Sequence, residues 1–229
     1  MAAYSTVEAE WYKVIGNLQK SLASPIIAPH GGPGADDTFW TFDLFIAELE
    51  NLVDHLQLRQ KGFYVLGQSW GGMLAGMYAS RRPEGLKKLV ISGSPASFPL
   101  FIEGGKRLRA QLPSFIRKAL EGGDRDGNYN TPEYEQASAI FYARHVCRID
   151  PLLEAVQQAF DGSEEAKNIN VDTLFPNRRY DEVTKLCVEP WFKSIPKIKW
   201  VVFENSSYMP HWEERERFIK LVRTFLTTY

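Results

Sequence analysis

Ser69 sits at the centre of Gly67-Gln68-Ser69-Trp70-Gly71-Gly72. An apolar run that reads as a strand, Gly62 to Leu66, precedes it, and one that reads as a helix, Met73 to Ala79, follows. A serine on a sharp strand-to-helix turn holds its hydroxyl clear of the backbone, where it can act as a nucleophile. Gly67 and Gly71 suit that turn because a side chain at either position would crowd it. A bare G-x-S-x-G run recurs by chance and could be an ordinary glycine-rich turn; the flanking strand and helix favour the catalytic reading. Such a serine also needs a base, a group that orients the base, and donors for the developing oxyanion.

A second glycine-rich turn can help with the last requirement. The short apolar run Pro25-Ile26-Ile27-Ala28-Pro29 ends in His30-Gly31-Gly32-Pro33-Gly34, which reads as a buried strand feeding a loop. Backbone N–H groups at Trp70 and at Gly31 or Gly32 could converge on one oxygen. The competing reading of His30 to Gly34 is a simple glycine-proline turn.

The elements that would position these groups alternate. Glu10 to Gly16 reads as an early strand, and Phe42 to Leu58 carries apolar residues at helical spacing. Leu86 to Gly93, Val171 to Phe175 and Ile198 to Glu204 read as further strands, and Glu213 to Phe225 as a closing helix. Strands alternating with helices predict an α/β fold with a mostly parallel sheet flanked by helices. Residues 99–161 are helical in pattern without a strand. Thr131-Pro132 opens one helix, with Ala139, Ile140, Tyr142, Ala143 and Val146 as its apolar face. Asp124-Arg125-Asp126-Gly127-Asn128 resembles the start of a calcium loop but lacks the later ligands, so it reads as a turn. The expected division is a core of residues 1–98 and 166–229 with a helical cap insertion, 99–165, over the carboxyl ends of the strands.

Composition narrows the function. The 229 residues are 44% hydrophobic and 13% aromatic, with a net charge of −1. That balance gives no reason to expect nucleic acid or an anionic membrane as partner, and no apolar stretch approaches a bilayer span. Met1 to Glu8 shows no basic region followed by an apolar one, so no secretory signal is expected. Cys147 and Cys187 lack metal-ligand spacing and read as buried thiols of a reducing compartment, with the cytoplasm as the expected location.

Taken together, His30-Gly31-Gly32-Pro33-Gly34 and Gly67-Gln68-Ser69-Trp70-Gly71-Gly72 resemble the signature of proline iminopeptidases, a branch of the α/β-hydrolases. The likeness extends to Phe39-Trp40-Thr41-Phe42-Asp43, Tyr180-Asp181-Glu182 and the tail from Ser206 to Phe218. Trp11-Tyr12 and Phe141 to Asp150 are similar to the fungal-type members. The resemblance implies an α/β-hydrolase fold, with Ser69 as nucleophile and Asp181 as the orienting acid. It implies release of an N-terminal proline or small residue, or cleavage of a related small amide or ester, with no metal or organic cofactor. Without it, Asp181 would read as a solvated loop carboxylate.

Four departures qualify the resemblance. Tyr208, in Ser206-Ser207-Tyr208-Met209-Pro210-His211, stands where the family carries its catalytic histidine. A phenol is almost wholly protonated at neutral pH, and losing the histidine of such a triad costs on the order of 10⁶ in turnover. His211 is the substitute base to consider, three residues on. Only 32 residues separate Gly34 from Gly67, too few for the helix and central strand the family places there, so one central strand is expected to be missing. The acidic cap residues that hold a substrate's amino group in the family leave Glu103, Glu133 and Glu135 as counterparts, against the plainer reading of solvated helix charges. Pro176-Asn177-Arg178-Arg179 replaces an Asn-Gly turn before the acid, and Arg178 lacks glycine's conformational freedom. The sequence therefore supports a serine hydrolase of proline iminopeptidase type. The alternatives are a hydrolase-like binding protein impaired by Tyr208 and an esterase with relaxed demands.

Overall fold

A computed structural model describes residues 24–29, 41–145 and 164–228. Its strands are β1 (Ile26–Ile27), β2 (Phe63–Gln68), β3 (Leu86–Ser92), β4 (Asp172–Arg178) and β5 (Ile198–Phe203). Its helices are α1 (Phe42–His55), α2 (Leu58–Lys61), α3 (Trp70–Ser80), α4 (Phe98–Ala110), α5 (Ser114–Asp126), α6 (Pro132–His145), α7 (Lys185–Ser194), α8 (Pro210–Glu213) and α9 (Arg215–Thr227). All five strands run parallel in the order β1-β2-β3-β4-β5. The short interval before β2 thus leaves no gap in the sheet: β1 pairs directly with β2, Ile26 opposite Tyr64 and Ile27 opposite Val65. The strand expected at Glu10 to Gly16 lies outside the described residues, as do Cys147 and the resembling Trp11-Tyr12 and Phe39-Trp40.

Alternation along the strands builds two cores, one on each face. Phe63 and Val65 of β2, Leu89 and Ile91 of β3 and Phe175 of β4 join α1, α3 and α7 on the first face. Val90, Leu174 and Phe203 face the other way, against Phe218, Val222 and Leu226 of α9. Helix α3 is buried on nearly all sides, as expected of a helix whose N-terminus lies in the site. Helix α1 opens on Thr41, whose Oγ1 accepts from the Leu44 N–H at 3.2 Å, and buries Ile46, Leu49 and Val53. It ends at His55, short of Leu58, because Gln57 adopts a left-handed φ of 53° before α2.

Helix α7, which carries Pro190 in its interior, is absent from the sequence reading, and an interior proline ordinarily argues against a helix. It nonetheless anchors the sheet side of the site. Trp191 fills the space over Gly76 of α3, where a Cβ would come within 2.5 Å of the indole, and its Nε1 donates to the Ser94 carbonyl at 3.1 Å. Helices α4, α5 and α6 lie between β3 and β4, and α5 and α6 share a small core of Leu112, Ile116, Leu120, Ala137 and Phe141. The Thr131 cap forms as expected, its Oγ1 accepting from the Tyr134 N–H at 3.2 Å. The buried face of α6 is set by Ala137 and Phe141, an i,i+4 pair, and Ala139 is exposed rather than apolar-facing. Asp124 to Asp126 belong to the last turn of α5 rather than to the expected turn, and the chain turns only at Gly127, at φ 63°.

Candidate active site

Ser69 occupies the junction of β2 and α3 at φ 55°, ψ −127°. A non-glycine residue in this region carries a backbone strain of about 1–3 kcal/mol. The turn is held on both sides: the Ser69 N–H donates to the Ser92 carbonyl at 3.1 Å, and the Ser69 carbonyl accepts from the Gly72 and Met73 N–H groups at 2.9 and 3.2 Å. Gly67 is required, because a Cβ there would lie 2.1 Å from the Gly71 carbonyl oxygen. Gly72, which the sequence reading did not single out for crowding, is equally confined, with a Cβ 2.6 Å from that of Ser94. Trp70 begins α3, so its N–H points out of a helix N-terminus, favourable ground for negative charge. Its ring is fixed by Phe42, stacked at 5.6 Å, and by Phe45, edge-on at 4.7 Å. The other proposed donors, Gly31 and Gly32, lie with His30 and Gly34 outside the described residues.

Asp181 follows β4 in a loop and is fully buried. Its Oδ1 accepts from the Val183 N–H at 2.9 Å and its Oδ2 from Arg178 Nη1 at 2.8 Å. Burial pushes the Asp181 carboxyl up to about 6, against the pull of Arg178 and the Val183 N–H. Burial likewise draws the Arg178 guanidinium below its ordinary value, with Asp181 opposing. Arg178 needs none of glycine's freedom, since its φ is not positive. What it needs is room, and Gly93 provides it: a Cβ at Gly93 would sit 1.5 Å from Arg178 Nη1.

Arg178 also reaches the position of the expected histidine. Its Nη2 donates to the Tyr208 carbonyl at 2.6 Å, and its guanidinium lies 5.6 Å from the centre of the Tyr208 ring. The Tyr208 carbonyl accepts a second bond, from Gln68 Nε2 at 3.3 Å, so residue 208 is tied to the strand that ends in the serine. Burial pushes the Tyr208 phenol up to about 12; hydrogen bonding with the Ser69 side chain works the other way, and the Asp181 and Glu182 carboxyls raise it further. The loop carrying Tyr208 is organised by two consecutive carboxylates. Glu214 accepts from the Asn205 N–H at 3.2 Å and the Ser206 hydroxyl at 2.6 Å. Glu213 accepts from the Ser207 N–H at 2.8 Å, the Ser207 hydroxyl at 2.7 Å and the Met209 N–H at 3.2 Å.

The structure therefore joins Ser69, Tyr208, Arg178 and Asp181, and it does not join His211 to them. The His211 ring lies beside Trp212 and Phe218, 6.2 and 6.1 Å between centroids. Phe218 belongs to the core on the opposite face of the sheet from the one Tyr208 packs against. The buried His211 Nδ1 has no hydrogen-bond partner, and burial, then Arg178, lowers its pKa while Glu213 opposes. Glu103, Glu133 and Glu135 take the role of solvated helix charges. Glu103 pairs with Arg107 at 2.9 Å, and Glu133 and Glu135 are exposed in the first turn of α6, where they complement the helix dipole.

Two residues matter that the sequence reading did not place here. Arg178 is one. The other is Glu182, 8% exposed, with Oε1 buried and unpartnered and its N–H donating to the His145 carbonyl of α6 at 3.1 Å. Burial, then Asp181, pushes Glu182 up to about 8, with Arg109 of α4 opposing. The signal for both was the run Arg178-Arg179-Tyr180-Asp181-Glu182, which puts two cations and then two carboxylates at the end of a buried strand.

Comparison with known proteins agrees with this fold. A family model described as the alpha/beta hydrolase fold matches residues 9–142. A proline iminopeptidase from Heyndrickxia coagulans is 25% identical over 264 aligned positions, covering 90% of this chain and 91% of the relative. That alignment is longer than the 229 residues of this chain, so the relative has segments without a counterpart here. The crystal structure of a proline iminopeptidase from Mycobacterium smegmatis superposes with a TM-score of 0.78 at 30% identity, covering 90% of this chain and 89% of that one. The crystal structure of VinJ gives a TM-score of 0.82 at 29% identity and covers 92% of both chains.

Proposed function

The chain belongs to the α/β-hydrolase family, in its proline iminopeptidase branch, and from that premise we propose a serine hydrolase that acts through an acyl-enzyme on Ser69. Its substrate is an ester or amide of an N-terminal proline or small residue. The observation that carries this reading is the strained Ser69 turn, kept at φ 55° with residue 208 tied through its carbonyl to the adjoining Gln68. Ser69 Oγ adds to the substrate carbonyl as its proton passes to the Tyr208 phenolate. The carbonyl electrons move onto oxygen, facing the Trp70 N–H at the helix N-terminus. Collapse of the adduct expels the leaving group, which takes the proton back from Tyr208, and water repeats the sequence on the ester.

A phenol held near 12 supplies little base at neutral pH. Leaving groups that need no protonation are thus favoured, so activated esters should be cleaved ahead of anilides. The Arg178–Asp181 pair supports the second reading, a binding protein with an impaired site, because the acid is already committed. Hydrolysis of the p-nitrophenyl ester and p-nitroanilide of proline by the parent and by Ser69→Ala separates the two. Ester hydrolysis that vanishes in Ser69→Ala is expected; an unchanged rate in that variant would mean Ser69 is not the nucleophile.

A further inference from the structure

Two departures of this chain, Arg178 and Tyr208, fill one buried volume. The guanidinium lies on Gly93, bonds Asp181 Oδ2 and the Tyr208 carbonyl, and flanks the Tyr208 ring. Asp181 Oδ1 accepts from the Val183 N–H, and Oδ2 meets Arg178, whose other amino group is bonded to the Tyr208 carbonyl, so the guanidinium bridges the acid and residue 208. Each carboxylate oxygen keeps a free lone pair, so what separates Asp181 from a side chain at position 208 is the guanidinium that fills the space beside both. A phenol has no second polar atom to offer the acid, whereas an imidazole does, so Tyr208 and the Arg178–Asp181 pair are mutually compatible.

Resting on the serine-hydrolase reading above, we infer that Arg178 is a positioning residue that disconnects the acid from position 208, so that restoring a histidine-based peptidase takes two substitutions. Tyr208→His alone leaves Asp181 bound to Arg178. Arg178→Gly with Tyr208→His frees the carboxylate and opens the guanidinium's space for the imidazole.

The experiment compares Tyr208→His with Arg178→Gly/Tyr208→His by two readouts. The first is NMR titration of the imidazole introduced at position 208. Ser69, Asp181, Glu182 and Arg178 surround that position, and Glu213 acts on both Arg178 and Asp181. Losing the cation and gaining the carboxylate should raise the imidazole's midpoint by about one pH unit or more. The second is Ser69-dependent hydrolysis of the proline anilide, expected to be about a hundredfold faster in the double variant. An imidazole with the same midpoint in both proteins overturns the assignment of Arg178, as does full turnover by Tyr208→His alone. A moved midpoint without Ser69-dependent turnover upholds Arg178's role and sinks the serine-hydrolase reading instead. Should the glycine variant not fold, Arg178→Gln/Tyr208→His takes the same test. If neither folds, Arg178 is a requirement of the fold and the proposal is rejected.

Discussion

Raising the pH from about 7 to about 9 should accelerate Ser69-dependent ester hydrolysis roughly a hundredfold, because the proposed base is a phenol. Tyr208 is desolvated between the turn that carries Ser69 and Arg178, with a pKa of about 12. About one molecule in 10⁵ then carries the phenolate at neutral pH, and that fraction grows tenfold with each pH unit. The assay is release of p-nitrophenol from the proline ester. The rate of Ser69→Ala is subtracted at each pH, because hydroxide attack on an activated ester climbs with the same slope. Circular dichroism at each pH verifies that the fold is constant, and Tyr208→Phe should flatten the corrected profile. A plateau with a midpoint near 6–7 would refute the reasoning, since it would identify a group other than the phenol as the base. A corrected slope that survives in Tyr208→Phe would refute it equally.

Gly67→Ala should destabilise the protein by at least about 2–3 kcal/mol in a denaturant titration, because its methyl group meets backbone that cannot move aside. Glu182→Gln should raise the melting temperature at about pH 8.5 and change it little at about pH 5. The folded-state pKa of Glu182, about 8, lies above the ordinary 4.5, so the folded chain binds the extra proton between those values. Stability is therefore fullest below about 4.5 and falls as pH rises toward 8. The amide lacks that penalty, and equal melting shifts at both pH values would count against a buried Glu182 carboxyl.

Where local pattern and tertiary demand coincide, the sequence was readable. The strand-turn-helix around Ser69 is legible because apolar alternation, crowded glycines and an all-apolar helix each reflect a steric requirement of the same turn. The end of β4 was not legible. Pro176 and Asn177 read as a turn, but beyond Leu174 the strand pairs with β5 alone, and proline is tolerated where one side of a strand has no ladder partner. Arg178 was misjudged because it was weighed for the conformational freedom it lacks rather than for the buried space it fills at the end of β4. Its burial depends on Gly93, 85 residues away in the chain, which no local pattern reports. His211 is the reverse case: its distance in sequence from position 208 is small, but the intervening turn carries its ring toward Phe218.

The clamp formed by Glu213 and Glu214 gives position 208 the character of a socket. The backbone on either side is fastened by Asn205, Ser206, Ser207 and Met209, and the Tyr208 carbonyl is gripped by Gln68 and Arg178. None of these bonds uses the phenol. The side chain there is exchangeable while its mounting stays in register with Ser69, so a different group can be presented to the turn without rebuilding the loop. A library confined to position 208, read first in the parent and then without Arg178, would sample base chemistries on a fixed nucleophile.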